Sequence, residues 1–157
     1  MEVPALTRLR VKDEWIDEND HMNSAMYFVA VREASGPLLR QAGFDREFVG
    51  KAGLSLVQRE AHIRYARELR RGDPILVRAF IAGVDQRSVH VVSEMQHGDA
   101  GWTAAVVELL YTLFDRATRT STAWPPEMLA ALRALADASR PALSPDWVSR
   151  RVAVRST

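Results

Sequence analysis

The spacing of apolar residues changes twice along the chain. Over residues 7–16, Leu9, Val11 and, less regularly, Trp15 stand among charged neighbours, the pattern of a half-buried strand, and a polar turn follows at residues 17–20. From Asn23 to Ala42 the apolar positions Ala25, Met26, Phe28, Val29, Ala30, Val31, Ala34, Leu38 and Leu39 occupy nearly every side of a helical wheel, which predicts a helix wrapped by other elements. Gly43 is a helix stop, and residues 45–51 make one more short helical turn before Gly53 breaks it. Beyond Gly53 the period becomes that of strands. Residues 54–65, 74–84, 88–96 and 102–114 are rich in β-branched and aromatic side chains. Their connectors, such as Arg71-Gly72-Asp73-Pro74 and Gly98-Asp99-Ala100-Gly101, are too short for parallel crossovers and predict an antiparallel meander. A shorter sixth strand is expected at residues 118–123, and Pro125 opens a helix to about residue 136 with Met128, Leu129 and Leu132 as its stripe. The fold class is therefore α+β, an antiparallel sheet curled around a long central helix. Residues 1–138 make the domain, and residues 139–157 read as a basic C-terminal tail, poorly ordered or laid on a neighbour.

Composition narrows the function classes. The chain has 157 residues, 47% of them hydrophobic, enough for one core and too few for two ordinary domains. Lys and Arg number 21 against 20 for Asp and Glu, so no global field draws the chain to nucleic acid or to an anionic membrane. There is no cysteine, hence no disulfide framework and no thiolate chemistry, and the N-terminus lacks the basic-then-apolar run of a secretion signal. A soluble, cytoplasmic protein is expected. The richest apolar stretch, residues 102–114, is short for a membrane span and carries Glu108.

The densest chemistry is Trp15-Ile16-Asp17-Glu18-Asn19-Asp20-His21-Met22-Asn23, between a strand and a buried helix. Asn23 or Asp20 serves as an ordinary helix cap on one reading. On the other, carboxylates, a carboxamide and an imidazole converge on a helix N-terminus whose amides and dipole suit a developing oxyanion, with Asp17 as nucleophile or base.

The run Asp17-x-Asn19-x-His21-Met22-Asn23-x-x-x-Tyr27 resembles the opening signature of the hotdog-fold acyl-CoA thioesterases of the 4-hydroxybenzoyl-CoA thioesterase type. The likeness continues through Glu60-Ala61-His62-Ile63-Arg64-Tyr65-Ala66-Arg67-Glu68-Leu69, the Gly72-Asp73-Pro74 turn, Asp115-x-x-Thr118-Arg119 and Pro125-Pro126-Glu127. It covers residues 7 to about 135 and leans toward the subgroup associated with carnitine and betaine breakdown. The resemblance implies a helix held in a curled sheet and hydrolysis of an acyl-CoA thioester without metal or cofactor. It also implies homodimers or homotetramers with active sites at the subunit interface. By the match, Asp17, His21 and Asn23 are the catalytic set, and Asn19 helps to position the thioester. Where that family usually has glycine between the Asn and the His, this chain has Asp20, a residue that tolerates a left-handed backbone.

Further candidates come from pattern. Tyr27, Glu60 and Arg64 are placed with Asn19 as substrate-binding residues, Glu60 being grouped with Gln58, His62 and Arg64 on a polar strand face; a merely solvated face explains that pattern more simply. Glu108, amid apolar neighbours, is expected to find an Arg or a tyrosine hydroxyl. Six arginines lie between Arg59 and Arg78 against three acidic residues, suiting CoA phosphates or simple salt bridging. Trp15, Tyr27, Trp102 and Trp124 are candidates for an acyl pocket or for the core, and an aromatic box would suit a trimethylammonium group. His62, His90 and His97 lack metal-ligand spacing, so no metal is expected. Two alternatives remain open. One is a hotdog enoyl-CoA hydratase or dehydratase, whose Asp-x-Asn-Pro-x-His spacing differs from that here; the other is a non-catalytic acyl-CoA sensor.

Overall fold

The structure is a computed structural model that describes residues 5–148. Strand β1 (Ala5–Arg10) is followed by a single 3-10 turn, Asp13–Trp15, and then by helix α1 (Ser24–Gln41) and the short α2 (Arg46–Ala52). Four long strands come next: β2 (Leu54–Tyr65), β3 (Pro74–Val84), β4 (Ser88–His97) and β5 (Thr103–Asp115). A two-residue β6 (Thr120–Ser121) and helix α3 (Pro126–Ser139) follow, and two further 3-10 turns, Arg140–Ala142 and Pro145–Trp147, come after them.

The strands form one antiparallel sheet in the order β1-β3-β4-β5-β2, with β6 paired to β5. Partners across an antiparallel pair share a face, so the register sorts the sheet into two sides. The row Ala5, Ala79, Ser93, Val107 and Ile63 lies on the side that packs α1. The next row, Arg78, Glu94, Val106 and Arg64, lies on the other. On the inner side Val77, Val91, Met95, Leu109 and Leu113 meet Tyr27, Ala30, Val31, Ala34 and Leu38 of α1 in one buried core. This is the hotdog arrangement expected from the sequence.

Several local expectations change. The first strand stops at Arg10 because the chain is then sewn to the β3 approach: Val11 N–H donates to the Asp73 carbonyl (3.0 Å), and Gly72 N–H to the Val11 carbonyl (3.1 Å). Trp15 is buried from a 3-10 turn. Helix α1 is not enclosed on all sides, since Val29 is exposed and Phe28 only half-buried. The sixth strand shrinks to two residues because Asp115 caps a turn, accepting from Ala117 N–H (2.8 Å) and Thr118 N–H (3.1 Å). Ser139, where a poorly ordered tail was expected to begin, is fully buried at the end of α3. Its Oγ accepts the Ile81 N–H (3.0 Å) and donates to the Leu135 carbonyl (2.8 Å), a bond to β3 two residues beyond Ala79, the partner of Ala5. Trp147 then packs on Phe80, ring centroids 5.5 Å apart. Arg150, Arg151 and Arg155 lie outside the described residues.

Candidate active site

The loop into α1 is built from its own neighbours. Ile16 and Met22 make one antiparallel bridge, Asp17 N–H donates to the His21 carbonyl (3.1 Å), and Asp20 N–H to the Asp17 carbonyl (3.1 Å). Residues 17–20 therefore form a tight turn. Asp17 Oδ1 accepts the Asn19 N–H (2.9 Å), an Asx turn that fixes the carboxylate against its own backbone. Asp20 takes φ +60°, so the left-handed position expected to hold glycine is filled by one of the few residue types that suit it. Buried Trp15 and Met22 anchor the loop. Asn23 N–H donates to the Trp15 carbonyl (2.8 Å), and Met22 N–H to the Leu69 carbonyl (2.7 Å).

The last bond brings in the segment beyond β2. A cavity of about 440 Å³ opens between the loop, the first turn of α1 and residues 65–68. Asp17, His21, Tyr27, Tyr65, Arg67 and Glu68 are among its walls. His21 stands between two carboxylates, its Nδ1 3.7 Å from Asp17 Oδ1 and its Nε2 3.8 Å from Glu68 Oε2. The Tyr27 hydroxyl accepts the Leu69 N–H (3.0 Å), and burial raises the hydroxyl's pKa above the ordinary tyrosine value. Glu68 is bonded by Arg70 Nη2 (2.9 Å), which holds its carboxyl below the ordinary glutamate value.

The predicted site residues separate into two groups. Asp17, His21 and Tyr27 line the cavity. Asn19 is exposed and contributes its N–H to Asp17. Asn23 caps α1, its side chain accepting the Ala25 N–H (2.9 Å), so the capping reading describes its side chain. Met26 N–H is taken by the Asn23 carbonyl. The Ser24 N–H stands at the helix entrance beside these bonded amides, and Ser24 lines the cavity.

Glu60 and Arg64 are not brought to this cavity. A bulge between Gln58 and Glu60 shifts the face pattern, so Gln58 pairs with inward Tyr111 while Glu60 pairs with Leu110 on the outer face. Glu60 borders a second, outer-face cavity with His62, His90 and Glu108. There Glu108 lies between two histidines, 3.2 Å from His62 Nδ1 and 3.2 Å from His90 Nε2, rather than against the Arg or tyrosine expected. Trp15 and Trp124 are core residues. Trp102 is stacked by Arg67 (4.4 Å) at the cavity rim. Of the arginines between Arg59 and Arg78, Arg70, Arg71 and Arg78 are paired with Glu68, Asp13 and Glu94. Tyr65 and Glu68, which also line the cavity, were not singled out from the sequence, and Arg67 was considered only among the arginines offered to CoA phosphates.

No helix of the described residues is long and apolar enough to cross a membrane. The family model for the thioesterase-like superfamily matches residues 11–132. A betainyl-CoA thioesterase of Pseudomonas aeruginosa is 28% identical over 140 residues, covering 89% of this chain and 88% of that protein. An L-carnitine dehydrogenase/betainyl-CoA thioesterase of Rhizobium meliloti is 26% identical over 94% of this chain, which spans only 29% of that longer protein. A Staphylococcus aureus protein solved in complex with CoA superposes with a TM-score of 0.89 at 20% identity, over 99% of each chain. Fold, motif and family model agree: the chain belongs to the thioesterase-like superfamily and is a hotdog-fold hydrolase of CoA thioesters.

Proposed function

We propose that the cavity at the start of α1 is the catalytic site and that it hydrolyses a short acyl-CoA, with a betainyl group as the acyl moiety. The observation that carries this reading is the Asp17 carboxylate, partly sheltered and held by the Asn19 N–H, in one cavity with His21 and the amino end of an 18-residue helix. Asp17 either attacks the thioester carbonyl, expelling the CoA thiolate and leaving a mixed anhydride that water opens, or takes a proton from the attacking water. The Ser24 N–H and the helix dipole receive the oxyanion, and His21 positions Asp17. The betainyl assignment is supported by the names of the relatives. The chain acts in the cytoplasm as a homo-oligomer with the cavity near a subunit boundary. In support, β2 is a 12-residue edge strand that ends at this cavity, and long open edges invite pairing with a second copy.

The test is thiol release from a panel of CoA thioesters running from acetyl through medium-chain and aromatic to betainyl. Release from short or betainyl thioesters alone supports the proposal, and release confined to long or aromatic ones refutes the acyl assignment. A single turnover in heavy-oxygen water tests the covalent route: label in the Asp17 side chain requires an anhydride that water opens at the Asp17 carbonyl carbon, and trapping the acyl-enzyme with hydroxylamine detects an anhydride opened at the acyl carbon.

A further inference from the structure

Two residues of the cavity wall have no part in attack on a thioester. Tyr65 closes β2 with 52% of its surface exposed. Its hydroxyl donates to the Ser24 carbonyl (2.9 Å) and its ring meets Tyr27 edge to face, centroids 5.3 Å apart. The ring is thus held at two points while much of its surface stays open. Glu68 stands on the far side of His21 from Asp17. One of its oxygens is taken by Arg70, whose side chain is turned to solvent, and the other faces His21.

Asp17 and Glu68 put two carboxylates in the cavity wall, and of the five acidic residues at positions 13–20 it is Asp17 that lines it, while Asp13 is taken by Arg71 outside it. The cation of its wall, Arg67, is stacked on the Trp102 ring. A quaternary ammonium has no hydrogen to donate, so it is recognised by carboxylate charge and aromatic surface rather than by hydrogen bonds. The wall opposite Asp17 supplies both.

We propose that Glu68 is the specificity-determining residue of this cavity, selecting acyl groups that carry a quaternary ammonium next to the thioester carbonyl, with the Tyr65 ring as the second contact. The inference rests on the reading of the cavity as the acyl site. An acyl group with one methylene between carbonyl and nitrogen is short enough to keep its head beside His21 while its carbonyl carbon sits about 3 Å from an attacking oxygen. Arg70 competes with such a head for the Glu68 carboxylate, which makes the sign of its removal diagnostic.

The experiment compares betainyl-CoA with tert-butylacetyl-CoA, which has the same shape with carbon in place of the charged nitrogen. Wild type should favour the cationic thioester in kcat/KM. Glu68→Gln should lower that preference about tenfold, chiefly through KM. Tyr65→Leu should lower it a few-fold, and Arg70→Gln should raise it. Equal losses on both substrates in Glu68→Gln would overturn the assignment, since Glu68 would then act on the chemistry through His21. So would a fall in preference in Arg70→Gln. Wild type hydrolysing both thioesters without preference would also overturn it while leaving the thioesterase reading intact. Hydrolysis of neither, by enzyme that turns over another acyl-CoA, would remove the betainyl assignment and this inference together.

Discussion

Replacing Asp17 by Asn separates chemistry from architecture at the proposed site. The new amide oxygen can still accept the Asn19 N–H that Asp17 Oδ1 now accepts at 2.9 Å. The turn is held besides by main-chain bonds between Asp17 and His21 and between Asp20 and Asp17, which no side-chain change touches. The side chain is only 14% exposed, but the exchange is isosteric and removes a charge rather than adding one, so the melting temperature should move little. What is lost is the nucleophile or base. General-base contributions run to roughly 10²–10⁴ in rate, so kcat should fall by at least about a hundredfold, or about 3 kcal/mol of transition-state stabilisation. Donors aimed at the oxyanion survive and leave a measurable residue of activity. KM should change only a few-fold, because the cavity keeps its shape. Thiol release measured across substrate concentration reads both constants. A folded Asp17→Asn variant with kcat within tenfold of wild type would remove Asp17 from its role, and a raised KM at unchanged kcat would make it a binding residue only.

Other consequences follow from named contacts. Tyr27→Phe strips the Leu69 N–H of its acceptor, so it should cost about 1–3 kcal/mol in chemical denaturation and loosen the loop that Leu69 holds through Met22. Ser139→Ala should cost a similar amount, about 1–3 kcal/mol, with faster amide exchange at Ile81, whose N–H the serine accepts. At Asp20, φ +60° makes glycine a tolerated substitute, whereas valine should destabilise by about 1–2 kcal/mol; equal melting temperatures for the two variants would contradict the strain argument. Arg70, with smaller help from His21 and Arg67, holds Glu68 ionised below the usual glutamate range. The preference for a cationic acyl group should therefore persist in wild type as the pH falls through that range, and disappear at a higher pH in Arg70→Gln.

The parts of the fold legible in the sequence are those whose signals are local. Strands β2 to β5 begin and end within a residue of expectation because alternation and turn residues mark both ends, as at Gly72, which takes a positive φ before Pro74. The stops at Gly43 and Gly53 follow from the same logic, both glycines adopting left-handed backbone. The first strand misled because Val11 and Trp15 owe their burial to a pinned loop rather than to pairing with β3. The bulge near Arg59 left no readable mark. It is a choice of backbone register, and its effect was to put Gln58 and Glu60 on opposite faces of β2 when simple alternation had grouped them.

The same division runs through the site. Asp17, Asn19, Asp20, His21 and Asn23 could be read together because the loop they form is closed by bonds among its own members and to the start of α1. Tyr65, Arg67 and Glu68 belong to the cavity only because Leu69 is tied to both Tyr27 and Met22, contacts that no spacing rule announces. Along β2 a carboxylate at Glu60 drew attention for its polar face, yet pairing with Leu110 turns it to the outer side of the sheet. Tyr65, paired with Ala105 on the inner side, and the residues just after it reach the cavity instead. The proposed attacking group and the proposed selecting group thus arrive by different routes, one from a local turn and the other from the segment after a distant strand. On that reading, substitutions just after β2 should retune the acyl preference without disturbing the turn that holds Asp17, and the opposite effects expected for Glu68→Gln and Arg70→Gln follow from the hold of Arg70 on the Glu68 carboxylate.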